Sequence, residues 1–434
     1  MIYHNAAKRI LTAPKGADRR SQDRLSLLLR SLDTTTSTLP YVAVLGESGK
    51  SAVATMLSYA LTSAGYRVGT MATPFSHTMT ECVAVNGTPI SMDAFADCVT
   101  RVFDATAKLQ ETIRTLPELS EEEKESLTEN ERLLYAYKTS SEDFSLFSDE
   151  LLLAAALLYF TENSCQIAVI EIPSGERRNA YRLPSSPLIS VITTTESEAE
   201  AKALCPLLDR KTNEIVSATQ RREIANMISS RCAAINCRLT YPLKNKLYLT
   251  QLATNRLQAF YKDMEFTLHS GAPYQLQNLT VVLETLDALK RGGFAVDPAA
   301  ATVQPLYGMA GVPLQFTTVA LEPNVITDFA DTPTRRRTLA QDLSCHKHIL
   351  RSKLTIIAPA SEEPDELICQ PFLEKELAIE TILRADLSNP RRTLKPVVKA
   401  LSSEDTLVIL GSRPFVYEIH RALMGLLHEK RTSQ

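Results

Sequence analysis

The sequence predicts an α/β protein, with a larger, mostly parallel sheet domain over residues 1–300 and a smaller α/β domain over 301–434. Three observations carry that reading. The β-rich run Tyr41–Leu45 ends in Gly46-Glu47-Ser48-Gly49-Lys50-Ser51 and passes directly into a helical run over 53–64, so it reads strand, glycine turn, helix. The run 66–71 reads as the next strand, which closes a β-α-β unit and favours parallel pairing. Beyond a Pro- and Gly-bearing stretch at 297–313, taken as the interdomain linker, strands and helices alternate again.

The remaining elements follow from periodicity. Ahead of the first strand, Ile10, Leu25, Leu27, Leu28, Leu29 and Leu32 lie amid charge and are interrupted at Pro14-Lys15-Gly16, the pattern of helix, loop and second helix. Residues 91–137 form a polar, mostly helical insertion with an acidic knot, Glu121-Glu122-Glu123. The apolar run 151–160 is too short to span a bilayer and reads as a buried helix within 147–163. It feeds a strand at 166–171, then a strand at 188–193, an acidic helix at 196–208, a strand-helix unit at 215–235 and a β-leaning stretch at 239–268. At 275–292, Leu276, Leu279, Val282, Leu283, Leu286 and Leu289 share one face of a helix that Gly292-Gly293 stops. In the second domain, strands are expected at 325–327, 353–357, 367–369 and 406–410, with helices between them.

Composition narrows the function classes. A net charge of -3 gives no electrostatic reason to expect nucleic acid or an anionic membrane as partner, and the basic clusters Arg19-Arg20, Arg221-Arg222 and Arg335-Arg336-Arg337 are short. Eight cysteines without a C-x-x-C pair, and a polar first 30 residues, point to a reduced, cytoplasmic protein without structural zinc; Cys345-His346-Lys347-His348 lacks a second ligand pair. Glycine is scarce: 14 in 434 residues, against about 7% in ordinary proteins.

The glycine turn has the layout of a phosphate-binding loop. Glycines let the backbone close around an anion, N–H groups at the helix start point at it, and Lys50 supplies a positive charge for the outer phosphates. The spacing is G-x-x-G-K-S, shorter than the usual G-x-x-x-x-G-K-[ST]. Glu171, at the tip of a β-run that arrives after this loop, stands where many nucleotide enzymes hold magnesium, and Thr73 follows the end of the strand at 66–71, where ligands collect in such sheets.

Taken in order, these signposts resemble the folylpolyglutamate synthase / dihydrofolate synthase family of the Mur ligase superfamily. The family's G-T-N-G-K-G-S loop is similar to Gly46-Glu47-Ser48-Gly49-Lys50-Ser51-Ala52, its Y-T-S-P-H-L segment to Met71-Ala72-Thr73-Pro74-Phe75-Ser76, and its E-R-I-x-I-N-G to the stretch from Glu81 to Gly87. The block ending V-L-E-V-G-L-G-G resembles 152–175, the G-x-H/Y-Q-x-x-N helix start resembles Gly271 through Tyr274, Gln275 and Asn278, and G-S-x-x-x-V-x-E-I resembles Gly411-Ser412 through Glu418-Ile419. The resemblance implies a Mur-ligase-like central domain followed by a Rossmann-like domain. It implies ATP-driven amide formation: a folate or related carboxylate takes the terminal phosphoryl group, and the amine of glutamate attacks the acyl phosphate. By position, Gly46, Gly49, Lys50 and Ser51 would hold the phosphates, Ser51, Thr73 and Glu171 Mg2+, and Asn278 and Asp328 the base and ribose, with Lys50 and Glu171 nearest the chemistry.

The departures are equally specific. The family's G-L-G-G-R-L-D-A-T-N is here Pro173-Ser174-Gly175-Glu176-Arg177-Arg178-Asn179-Ala180-Tyr181-Arg182, and its metal-binding D-H pair has no counterpart at 193–199. The segment with a modified lysine is compressed into Leu208-Asp209-Arg210-Lys211-Thr212, the G-R-x-E arginine is missing from Gly311-Val312-Pro313-Leu314, and D-G-A-H-N-P has become Asp328-Phe329-Ala330-Asp331-Thr332-Pro333. His77 lies two residues past the lost histidine of the Y-T-S-P-H-L segment. Losing one transition-state donor costs about a hundredfold or more in rate. Two readings follow: a divergent ligase, or a non-catalytic paralogue, either a nucleotide-binding pseudoenzyme or a scaffold, that acts through a protein partner.

Overall fold

The computed structural model describes residues 1–16, 18–32, 39–73, 78–140, 144–208, 211–212, 214–253, 255–268, 270–297, 315–347, 350, 354–360 and 363–432. They form two compact units. One holds most of the first 242 residues and the chain from Val281 to residue 297; the other holds Leu243–Thr280 and the described chain from residue 315 onward.

The first unit is built on an eight-stranded sheet: β1 Tyr41–Leu45, β2 Val68–Met71, β3 Val83–Val85, β4 Thr88–Pro89, β5 Ile167–Glu171, β6 Ile189–Ile192, β7 Glu214–Ser217 and β8 Arg238–Thr240. The order is β4-β3-β2-β5-β1-β6-β7-β8. The strands from β2 to β8 pair in parallel, while β3 and β4 add an antiparallel edge. β1, β5 and β6 are buried along their whole length, which is why they read as unbroken apolar runs. From β1 the chain passes through the helix Lys50–Ser63 to β2, beyond β5; from β5 it returns to β6, on the other side of β1. The carboxyl ends of β1 and β5 therefore flank a point where the chain diverges, the place where open α/β sheets form ligand crevices.

The helix Ser148–Glu162 is buried on nearly every side, as its apolar run requires. It sits so close to β2 that a Cβ on Gly69 would lie 2.6 Å from the Phe160 ring, so glycine is needed there for packing. Its start is tied to the helix Ser21–Ser31 through Arg24, whose Nη2–H donates to Glu150 Oε1 at 2.8 Å and whose Nε–H donates to Oε2 at 3.1 Å. The insertion is helical as expected, with helices Met92–Thr115, Glu121–Glu125 and Glu129–Lys138 capped by Ser91, Ser120 and Thr128.

In the second unit, β9 Leu247–Ala253, β10 Arg256–Tyr261 and β11 Met264–Leu268 form an antiparallel sheet. A five-stranded sheet joins β12 Thr317–Leu321, β13 Asn324–Asp328, β14 Leu354–Pro359, β15 Ile379–Ala385 and β16 Thr406–Leu410 in the order β12-β13-β16-β14-β15, with β12 alone antiparallel. Adjacent residues alternate between its faces: Val325, Ile357 and Ile409 enter one core, Ile326, Ile356 and Val408 the other.

Two expectations for this unit need correction. Residues 367–369 are not a strand but lie in the helix Asp365–Leu373, which buries Ile368, Pro371 and Phe372 at helical spacing and carries Asp365 and Glu366 in its first turn. Three apolar residues in a row have no period of their own. The strands β12 and β15 were missed because both mix exposed and half-buried residues, leaving no apolar run to read. Most of the stretch read as a linker lies outside the described residues.

Candidate active site

The glycine turn forms as the sequence requires. Gly46 has φ +114°, and a Cβ there would lie 2.5 Å from Thr193 Oγ1. Gly49, with φ +91°, is the N-cap of the helix Lys50–Ser63 and brings no capping side chain, so the first turn's N–H groups face the loop. Lys50 is 8% exposed, and its ammonium donates to Gly46 O at 2.7 Å, Ser174 Oγ at 3.0 Å and Glu47 O at 3.4 Å. Ser174 Oγ also donates to Gly46 O at 3.0 Å. On the next helical position, Ser51 Oγ donates to Glu171 Oε2 at 2.9 Å, and Glu171 is 3% exposed.

The structure thus brings Gly46, Gly49, Lys50, Ser51 and Glu171 to one place at the carboxyl ends of β1 and β5. Thr73 is buried two residues beyond the end of β2, whose Met71 pairs with Ile170 of β5. Asn278 and Asp328 belong to the other compact unit. There Asn278 Nδ2 donates to Gln275 Oε1 at 2.9 Å, and Asp328 Oδ2 accepts the Phe316 N–H at 2.9 Å. Burial, opposed by that N–H, pushes the Asp328 carboxyl up to about 7. Asp342 is pushed up to about 8 by burial and by the charge of Asp328.

Several participants were not legible in the sequence. The backbone N–H groups of Glu47 and Ser48 both donate to Thr194 O at 3.0 Å, which anchors the loop to the end of β6. Ser48 Oγ donates to Glu196 Oε1 at 2.5 Å, and Glu47 Oε2 accepts the N–H groups of Glu196 and Ser197 at 2.5 and 2.9 Å. The segment at 193–199, where the resemblance finds no D-H pair, therefore clasps the loop and sets the Glu196 carboxylate against it, while the loop's own Glu47 carboxylate grips the segment. Ser174 could have been suspected from its place three residues after Glu171; the Glu47–Ser197 contact spans 150 residues and leaves no local mark.

The other departures also have structural roles. Arg177 donates to Asp149 from Nε at 2.7 Å and from Nη2 at 2.5 Å. Asp331, where the resemblance expects histidine, accepts from Arg335 Nη1 at 2.8 Å, and Thr332 caps the helix Pro333–Cys345. His346 is buried, with Nε2–H donating to Gly271 O at 2.6 Å. Lys211 is exposed. His77, Pro74-Phe75-Ser76, Asp209-Arg210, Gly311–Leu314 and His348 lie outside the described residues.

Among the described residues, no group of three or more His, Cys, Asp or Glu side chains is placed to hold a metal ion. A single carboxylate beside a hydroxyl still suits Mg2+, which is commonly held by one or two carboxylates together with substrate phosphates. No helix among the described residues is long and apolar enough to cross a membrane.

No protein-family profile matches the chain. It is 23% identical over 280 residues to a dihydrofolate synthetase of Saccharomyces cerevisiae, covering 62% of this chain and 57% of that protein. It is 23% identical over 193 residues to a folylpolyglutamate synthase of Lacticaseibacillus casei, covering 44% of this chain and 38% of that protein. The sequence matches thus span little more than half, or less, of the curated relatives. Solved structures extend the likeness over the whole fold. The apo form of the L. casei folylpolyglutamate synthase superposes with a TM-score of 0.78 at 18% identity, covering 98% of this chain and 100% of that one. A structure described as a folylpolyglutamate synthase complex with AMPPCP and folate gives 0.75 at 18% identity and the same coverage. The motif resemblance to this family is borne out, and the chain has the two-domain α/β fold of these synthases.

Proposed function

We propose that this chain binds MgATP at the Gly46–Ser51 loop and is a divergent acid–amino-acid ligase that joins glutamate to a folate or related carboxylate. The observation that carries the reading is the cluster of Lys50, Ser51 and Glu171 at the carboxyl ends of β1 and β5, with Ser51 Oγ 2.9 Å from Glu171 Oε2. Support also comes from the similarity to proteins named dihydrofolate synthetase and folylpolyglutamate synthase, one of them described with an ATP analogue and folate.

The residues fit the group. Glu171 and Ser51 would hold Mg2+, and Lys50 the outer phosphates. Magnesium nucleotide, when bound, supplies the phosphoryl group that activates a carboxylate toward amide formation. Lys50 holds its charge among Gly46 O, Glu47 O and Ser174 Oγ, so a phosphate oxygen competes with neutral oxygens for an already oriented ammonium. Glu171 is buried beside Ser51 and fixes the hydroxyl's direction. Positioned, partly desolvated cations stabilise developing anionic charge more strongly than the same groups in water.

A second reading, a nucleotide-binding protein that acts through a protein partner without turnover, is favoured by one observation. The Glu47 and Ser48 N–H groups are engaged by Thr194 O, and Glu47 and Glu196 set carboxylates at the loop, which opposes phosphate binding there. Calorimetry of MgATP binding, combined with ADP release in the presence of glutamate and a reduced folate, separates the two. Substrate-dependent ADP release supports the ligase, binding without turnover supports the second reading, and no binding at all removes both.

A further inference from the structure

Along β1, Tyr41, Ala43 and Leu45 point to one face of the large sheet. That face carries a cavity of about 500 Å³, made entirely of residues of the first unit and including none of Lys50, Ser51 and Glu171. Its floor is Ala43 and Ser190, which are register partners on β1 and β6 and so share a face. Ser190 is 1% exposed, and its Oγ has no hydrogen-bond partner among the described residues. Leaving a buried hydroxyl without a partner costs about 1–3 kcal/mol, so a polar ligand atom that reached this one would be stabilised by meeting it.

The walls define the ligand's chemistry. The Tyr41 ring, held by its OH donating to Ser185 O at 3.0 Å, and the apolar side chains of Leu208 and Ile235 suit a flat apolar body. Among the described residues no Asp or Glu lines the cavity, whereas Arg182 and Arg231 do. Arg231 donates Nε–H to Cys205 O at 3.0 Å and Nη2–H to Leu208 O at 2.8 Å, which fixes the guanidinium plane without neutralising its charge. Leu208 begins the segment that reads as compressed against the synthase motif, so one wall of the cavity is a feature of this chain's own sequence.

We propose that this cavity is a second small-molecule site that takes an aromatic carboxylate, with the ring against Tyr41 and Leu208, the carboxylate at Arg231 and a polar ring substituent at Ser190. The volume falls within the usual range for small-ligand pockets, about 300–1,000 Å³. The inference stands apart from the nucleotide reading and does not need it.

The test is fluorine NMR on the full chain, titrating 4-fluorobenzoate, 4-fluorobenzamide and 4-fluorosalicylate. The carboxylates should bind about tenfold or more tightly than the amide, the equivalent of one charged hydrogen bond. Ser190→Val replaces the unmatched hydroxyl with a methyl group that fills the floor. It should keep or raise the melting temperature and remove the extra affinity of the salicylate. Lys50→Ala should leave all three titrations unchanged. The proposal is overturned if no carboxylate binds, if amide and carboxylate bind alike, or if the salicylate binds Ser190→Val as it binds the wild type. Displacement of the probe by MgATP together with its loss in Lys50→Ala would also overturn it, by placing the probe at the phosphate loop.

Discussion

Lys50→Ala is the sharpest test of the proposed nucleotide site, because the structure separates its effect on folding from its effect on binding. Among the described residues the ammonium donates to Gly46 O, Ser174 Oγ and Glu47 O. When it is removed, Gly46 O keeps the Ser174 hydroxyl as donor, and the Glu47 contact is the longest of the three at 3.4 Å. The stability loss should therefore be about 1–2 kcal/mol, the cost of one or two ordinary hydrogen bonds. Binding should suffer more. A hydrogen bond to a charged group is worth about 1.5–3 kcal/mol, which corresponds to a rise in Kd of about 10- to 150-fold. The loss should be larger for MgATP than for MgADP, since in the proposed site this lysine would serve the outer phosphates. Isothermal titration calorimetry with both nucleotides, with the melting curve of each sample recorded, measures these quantities together. A folded Lys50→Ala protein that binds MgATP within about twofold of wild type, against the tenfold expected from one charged bond, would refute the argument.

Other perturbations have equally definite outcomes. Glu171→Gln keeps an oxygen to accept from Ser51 but removes the charge a metal needs, so nucleotide affinity should lose its dependence on Mg2+ while the melting temperature stays level or rises; calorimetry with and without EDTA reads this. Gly46→Ala forces a Cβ to within 2.5 Å of Thr193 Oγ1 at φ +114° and should destabilise the first unit by about 1–3 kcal/mol in urea unfolding. Glu47→Gln removes a carboxylate from the loop and should tighten MgATP binding several-fold, with unchanged affinity as the contrary result. Asp328 and Asp342 are held up to about 7 and about 8 from a reference of 3.8. Well below the reference value of 3.8 both are protonated in either state and their contribution is complete. As pH rises from there, the unfolded chain ionises while the folded one keeps its protons, so stability falls by about 1.4 kcal/mol per pH unit per carboxyl until the folded groups titrate. Hydrogen exchange of β13 amides, corrected for intrinsic rate, should show less protection at pH 8 than at pH 5, and Asp342→Asn should flatten that difference.

What the sequence determined is local. The strand–turn–helix from Tyr41 to Ser63 was legible because apolar period, glycine placement and helix start all act within a few residues, and they place Lys50 and Ser51 together whatever lies elsewhere. The buried strands β1, β5 and β6 and the helix Ser148–Glu162 were legible for a related reason: an element covered on every side must be apolar throughout. The helix Asp365–Leu373 and the strands β12 and β15 were not, because short or half-exposed segments leave their type to their neighbours in space. Tertiary structure alone decided what surrounds the loop. Strand register brings Thr194 O onto the Glu47 and Ser48 N–H groups and sets Ser190 opposite Ala43 over a cavity. Those contacts join residues more than a hundred positions apart, and their energies depend on burial and direction, which a chain acquires only when its sheet has closed.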